Sequence, residues 1–204
     1  MTTITTKIKT ESTWDKIKET PLPIGTEITD TLKDGTTITF EVAALNIYGA
    51  RKVLVCKDCL PEYCLMNADN TNKGGWKEST MRQHLWGIFE QLPDDLQAAI
   101  IPRTITQQLD DKVIRCADKL WLLSVTEVKG LTRGLSDADV DDQQFTLYQI
   151  EEPIKTIGRG GSSSWWLRSP DTSDRTSFAL VINTGYVFSA HASDLKGIAF
   201  GFLL

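Results

Sequence analysis

Apolar and polar residues alternate clearly from residue 36 to 42. There Thr-Thr-Ile-Thr-Phe-Glu-Val places Ile38, Phe40 and Val42 on one face. That pattern predicts a half-buried strand entered through the turn Lys33-Asp34-Gly35, with residues 51–56 as its partner. Residues 67–75 are polar and end in glycine, so they read as a loop. The spacing then lengthens. Met81, Leu85, Ile88 and Phe89 fall at i, i+4, i+7 and i+8, which predicts a helix capped by Ser79 or Thr80. A second short helix is expected from Pro93, a favoured first-turn residue, with Asp94 and Asp95 at its positive end. Leu96, Ala99 and Ile100 face inward in that helix, and Pro102 stops it.

The apolar run 118–124 reads as a buried strand, and the acidic, polar stretch 131–144 as an exposed excursion. Residues 157–164, rich in Gly and Ser, read as a flexible approach to the tryptophan pair that follows. Residues 177–182 are apolar on both faces, which predicts a central strand. Asn183-Thr184-Gly185 is its turn, with glycine where positive φ is needed. Residues 186–189 return, and 198–204 close the sheet. Residues 1–20, rich in Thr, Lys and Glu and ended by Pro21-Leu22-Pro23, read as an N-terminal arm whose Trp14 and Ile17 dock on the body or on a partner. Residues 21–204 then form a single domain. Strands, two short helices and strands again predict an α+β fold with mixed or antiparallel sheets.

A chain of 204 residues is long enough to bury a sizeable core. Acidic side chains outnumber basic ones by 27 to 22 and no basic block stands out, which argues against nucleic acid as a partner. The apolar stretch 198–204 is too short to span a bilayer, so no membrane insertion is expected. The amino-terminal residues lack the apolar core of a secretory signal, which predicts synthesis in a cytoplasm. Cys56, Cys59, Cys64 and Cys116 lack a second Cys-x-x-Cys, so they read as free or buried thiols rather than as a zinc site or a disulfide. No cofactor or metal is expected.

Three motifs occur in order: Trp76-Lys-Glu-Ser79-Thr-Met-Arg82, then Asp118-Lys-Leu-Trp-Leu-Leu-Ser124-Val-Thr-Glu127, then Trp165-Trp166-Leu167-Arg168-Ser169-Pro170. In this order they resemble the uncharacterised family "six-two-seven-three" of gut bacteria and their phages, from about residue 22 onward. That family is in turn similar to C-type-lectin-like and formylglycine-generating-enzyme-like folds. By fold analogy alone, the resemblance therefore implies a C-type-lectin-like frame. Family members often carry a Gly-Val-Arg-Pro-like segment where this chain has Gly197-Ile198-Ala199-Phe200-Gly201, so no role resting on that arginine carries over. Glu152-Pro153-Ile154 lacks the third donor of a calcium-bridged sugar site. The cysteines do not match formylglycine-generating positions.

A buried guanidinium must be satisfied, so Arg168 is expected to be structural, spanning the core to a carboxylate or carbonyls. Trp165 and Trp166 point to opposite faces of a strand, so Trp166 is assigned to the core and Trp165 to a stacking platform. His84 reads as a polar-edge residue of its helix. His191 lies near Ser189 and Asp194, but three neighbours in one loop do not make a triad, and no Gly-x-Ser-x-Gly elbow is present. Asp141 and Asp142 read as solvated. The ligand-binding candidates are Trp165, Asp171, Thr172, Asp174 and Arg175 before the last hairpin, with Asn183, Tyr186, Ser189 and His191 after it.

The expectation is a non-enzymatic recognition or display module binding a protein or glycan through these loops, phage-borne and carried on a virion or released. A structural virion component that forms a homo-oligomer through its N-terminal arm is the second reading. A hydrolase or oxidase on the same fold is the third.

Overall fold

Ile38, Phe40 and Val42 share a buried face, as their alternation predicts. The computed structural model describes residues 7–9, 13–132, 134–158 and 160–204. The strand carrying these three residues runs Thr37–Ile47, because Ala43 and Ala44 are buried beyond Val42 and extend it. Its register with Ala50–Cys56 shifts between Val42 and Ala44, a bulge that bends the strand and lets pairing continue. Six strands form this sheet in the order Lys7–Lys9, Glu27–Thr31, Thr37–Ile47, Ala50–Cys56, Phe200–Leu203, Trp121–Leu122. The first pair is parallel and the others antiparallel. Phe200–Leu203 therefore sits inside the sheet. At Gly201 an added Cβ would lie 3.2 Å from the Leu54 carbonyl oxygen, so the close approach there favours glycine.

A second sheet has the order Val187–His191, Ser177–Val181, Trp165–Pro170, Lys196–Gly197, Tyr63–Cys64. Ser177–Val181 is buried throughout and paired on both sides, as its two apolar faces predict. Gly185 adopts φ 85° in the turn and donates its N–H to the Ile182 carbonyl at 2.9 Å. A third sheet, Lys112–Asp118, Arg103–Leu109 and Asp139–Val140, has no counterpart in the sequence reading. Its middle strand buries Arg103, Thr106 and Gln107 beside Ile105, so apolar periodicity could not reveal it. The class is mixed α+β, mostly antiparallel, with few short helices. No helix among the described residues is long and apolar enough to cross a membrane.

The Thr80–Gln91 helix starts at Ser79, whose Oγ accepts the Arg82 N–H at 3.1 Å. The next helix, Asp94–Ala99, begins just after Pro93, which stands at the cap position. The run 118–124 is divided: Asp118 ends the strand Lys112–Asp118 of the third sheet, Trp121–Leu122 forms the edge of the first, and Ser124 leaves the sheet to cap a short helix, Val125–Lys129. The stretch 131–144 departs from the exposed excursion expected. Leu131 is exposed, but Ser136 and Ala138 are buried and Asp139–Val140 joins the third sheet. A two-residue ladder between Lys155–Thr156 and Ser162–Ser163 brackets the Gly/Ser-rich approach.

Residues 1–6 and 10–12 of the expected arm lie outside the described residues. Trp14 and Ile17, on the helix Trp14–Glu19, are buried on the body of the same chain. The Trp14 indole donates to Asp30 at 2.6 Å, and its ring meets Phe40 and Phe202 edge-on at 5.9 and 6.0 Å. Trp14→Ala is expected to lower the unfolding free energy by about 3–5 kcal/mol, read from the urea midpoint at unchanged slope. A loss below about 1 kcal/mol would place this helix outside the core.

Candidate functional site

Beneath the C-terminal loops lies a buried set of charges. Ser124 Oγ accepts the Glu127 N–H at 3.1 Å, and Glu127 Oε2 accepts the Ser124 N–H at 2.8 Å, the reciprocal bonds of a capping box. The same Oε2 receives Arg168 at 2.6 Å, and Oε1 receives Arg103. Asp142 accepts from Arg168 at 2.6 Å and also from Arg103. Arg168 reaches the Leu122 carbonyl at 2.8 Å. The Arg103 guanidinium lies 3.6 Å from the Tyr48 ring centre and 4.9 Å from that of Trp121. Asp142 is therefore not solvated as its acidic neighbourhood suggests. Its carboxylate is drawn in by two arginines, and only Asp141 remains exposed.

Two guanidiniums and two carboxylates balance, so a third ionised carboxylate would be in excess. Burial opposes ionisation of Glu127, but the Arg103 and Arg168 guanidiniums more than offset it and hold its carboxyl at about 2. Asp139, bonded to Ser169 Oγ at 2.7 Å, is pushed by burial up to about 7 despite the pull of Arg168. The neighbouring Asp142 charge raises it further.

The first and second motifs meet at Asp118. Its carboxylate accepts the Trp76 indole at 2.9 Å and Arg82 Nε at 2.7 Å. Both Trp165 and Trp166 are fully buried, so the expected stacking platform at Trp165 is corrected: the strand is covered on both faces. Trp165 donates to the Pro153 carbonyl at 3.1 Å and Trp166 to that of Cys64 at 2.8 Å.

The loop after Trp165–Pro170 is locked by its own side chains. Asp171 Oδ1 accepts from Ser173 N at 2.9 Å, Ser173 Oγ at 2.7 Å and Asp174 N at 3.2 Å. Asp174 accepts from Thr176 Oγ1 and Ser177 Oγ, each at 2.7 Å, and these bonds hold its carboxyl at about 2. The Asn72 amide binds the carbonyls of Asp171, Asp174 and Ser177 at 2.8–2.9 Å. Of the aspartates expected as ligand contacts, Asp171 thus spends Oδ1 and Asp174 both carboxylate oxygens on the loop. Thr172 and Arg175 are left exposed, and Arg175 Nη2 pairs with Asp110 at 2.9 Å. A cleft of about 100 Å³ opens between Lys73, Asp110, Thr172 and Arg175.

His191 is exposed nearby, with Nδ1 at 3.0 Å from Thr176 Oγ1 and 3.2 Å from Asn70 Nδ2. Asn183 and Tyr186 are exposed at the opposite end of the Val187–His191 strand, which spans about 17 Å, and Ser189 lies between. The structure thus brings Asp171, Thr172, Asp174, Arg175 and His191 together and leaves Asn183 and Tyr186 apart. Sequence reading missed exposed Phe188 and Trp86. Trp86 lies off the buried helical stripe, the one signal that could have revealed it, and flanks a groove of about 450 Å³ with Phe89 and Lys119. The four thiols are unpaired, and burial pushes those of Cys56, Cys59 and Cys116 up to about 12, too high for nucleophiles. Among the described residues one set of metal-type donors converges, Glu62, Cys64 and His84.

Residues 51–201 match the model of a family described as a domain of unknown function (DUF6273), and the chain belongs to that family. No curated protein and no solved structure matches.

Two outcomes are expected of the charged set. Glu127→Gln leaves two buried guanidiniums against one carboxylate and should cost about 3–5 kcal/mol in chemical denaturation. Asp139, raised from 3.8 to about 7 in the fold, holds a proton that the unfolded chain has released, so its contribution to stability falls as pH rises from about 4 through 7. Asp139→Asn should gain stability relative to the parent across that window, and a pH-independent difference would refute the assignment. Glu127 acts in the opposite sense. Its stabilisation is present above its ordinary value of 4.5 and is lost as pH falls toward 2.

Proposed function

We propose that this chain is a non-enzymatic recognition module that binds a protein or glycan partner through the cleft beside Thr172 and Arg175. One observation carries the reading: loop 171–176 is locked from within yet presents an exposed, charged rim. A loop fixed before binding loses little entropy on binding, and loops on a rigid frame are where recognition residues gather. The cleft, about 100 Å³, is small beside the roughly 300–1,000 Å³ of sites that enclose whole small molecules. It suits a projecting group, such as a side chain or a sugar edge. Lys73, Asp110 and Arg175 favour a charged protein segment over a neutral glycan. The family's occurrence in gut bacteria and their phages suggests a virion-borne or lysis-released module, and its likeness to lectin-like folds, a fold analogy, is compatible with this reading.

Assembly through an N-terminal arm is the weaker reading, because Trp14 and Ile17 are already buried on their own chain. The immobilised full chain should capture a partner from host-cell extract or a glycan from an array. Thr172→Trp with Arg175→Glu should weaken that capture by about tenfold or more, as loss of a central contact does. Tyr186→Ala, at the far end of the hairpin, should leave it unchanged. Capture indifferent to the cleft variants would overturn the proposal, and loss on Trp86→Ala instead would move the site to the helix groove.

A further inference from the structure

We propose that Glu62, Cys64 and His84 form a binding site for a zinc-class divalent cation with an open fourth position. Their donor atoms all lie within 4.8 Å of one another. Cys64 Sγ is 3.6 Å from His84 Nε2, and Glu62 Oε1 is 3.0 Å from the same nitrogen. A tetrahedral ion bound at about 2.3 Å to sulfur and about 2.1 Å to nitrogen and oxygen sets its ligand atoms about 3.4–3.6 Å apart. The sulfur–nitrogen separation already has that value, and the nitrogen–oxygen pair needs only a few tenths of an ångström. Hydrogen bonding alone explains the set poorly. An imidazole nitrogen carries one proton or one lone pair, so Nε2 cannot serve a thiol and a carboxylate equally well. A cation seated between the three donors satisfies all of them, with the exposed Glu62 side chain free to set the sulfur–oxygen separation, which is already within 4.8 Å.

The frame holds the donors in place. The short strand Tyr63–Cys64 is paired in register with Lys196–Gly197, and the buried Trp166 indole donates to the Cys64 carbonyl at 2.8 Å. His84 lies on the Ser79-capped helix Thr80–Gln91. Glu62 is exposed, Cys64 and His84 half-buried, and no fourth donor of this kind joins them among the described residues. Closed structural zinc sites use four protein ligands, whereas three leave a position for water or a ligand. Strand Tyr63–Cys64 and strand Val187–His191 are at opposite edges of one sheet, so this site is independent of the loop cleft.

The test is anaerobic titration of the reduced, chelator-stripped full chain with Co²⁺, followed by absorbance. The parent should develop tetrahedral visible bands and a near-ultraviolet thiolate-to-cobalt band, both abolished by Zn²⁺. Cys64→Ser should remove the charge-transfer band while Cys116→Ser keeps it. His84→Ala and Glu62→Gln should each weaken binding by at least the roughly 10- to 100-fold seen on losing an outer-shell partner. Circular dichroism of the metal-free variants separates lost binding from lost folding. If a surface variant fails to fold, the parent decides: Zn²⁺ should protect Cys64 from iodoacetamide, read by peptide mass mapping, and unchanged alkylation of Cys64 overturns the proposal. No thiolate band in the parent at millimolar Co²⁺, or a band surviving Cys64→Ser, overturns the proposal.

Discussion

Burying two guanidinium groups is the constraint around which the chain is organised. Taking an arginine out of water costs several kcal/mol unless its charge and donors are met. Here Arg103 comes from the third sheet and Arg168 from the second. Glu127 comes from the helix that follows the edge strand of the first, and Asp142 from the segment after Asp139–Val140. Four groups from four places must arrive together, because any three leave an unbalanced charge in the interior. Matched apolar residues can stabilise a fold as well as such a set. What the charges add here is a geometric requirement, that the sheets bring all four groups within hydrogen-bond reach of one another.

The family motifs follow the same constraint. Ser124 and Glu127 cap each other while Glu127 accepts from both arginines. Ser169, next to Arg168, accepts the Val125 N–H at 2.9 Å and donates to Asp139. Gln107 accepts the Trp76 N–H and donates to the Arg168 carbonyl at 3.2 Å. The three motifs are thus one polar skeleton beneath the loops, and they describe the frame rather than the surface that would meet a partner.

Elements whose burial is set by their own neighbours were legible from sequence. Ile38, Phe40 and Val42, the Met81–Leu85–Ile88 stripe and the hairpin at Gly185 each carry a local pattern that a single covered face explains. Elements defined by distant partners were not. Asp142 looks solvated until arginines 39 and 26 residues away are placed against it. Alternation put Trp165 and Trp166 on opposite faces but could not say that both faces were covered. At the candidate site, the aspartates and serines of 171–177 marked a loop correctly. The bonds of Asp171 and Asp174 that lock it are local, but the Asn72 amide that gathers its carbonyls comes from about a hundred residues earlier and has no local signal.

The position of Phe200–Leu203 has a bearing on how the molecule comes into being. This strand lies between Ala50–Cys56 and Trp121–Leu122, so both neighbours wait with an unpaired edge until it is made. At ordinary synthesis rates that interval is on the order of ten seconds, far longer than local helices and hairpins need to form. A nascent chain stopped short of residue 200 presents open backbone edges and the bare apolar surface of Leu54 and Trp121. Such a chain is a substrate for chaperones and proteases rather than a smaller working copy of the protein.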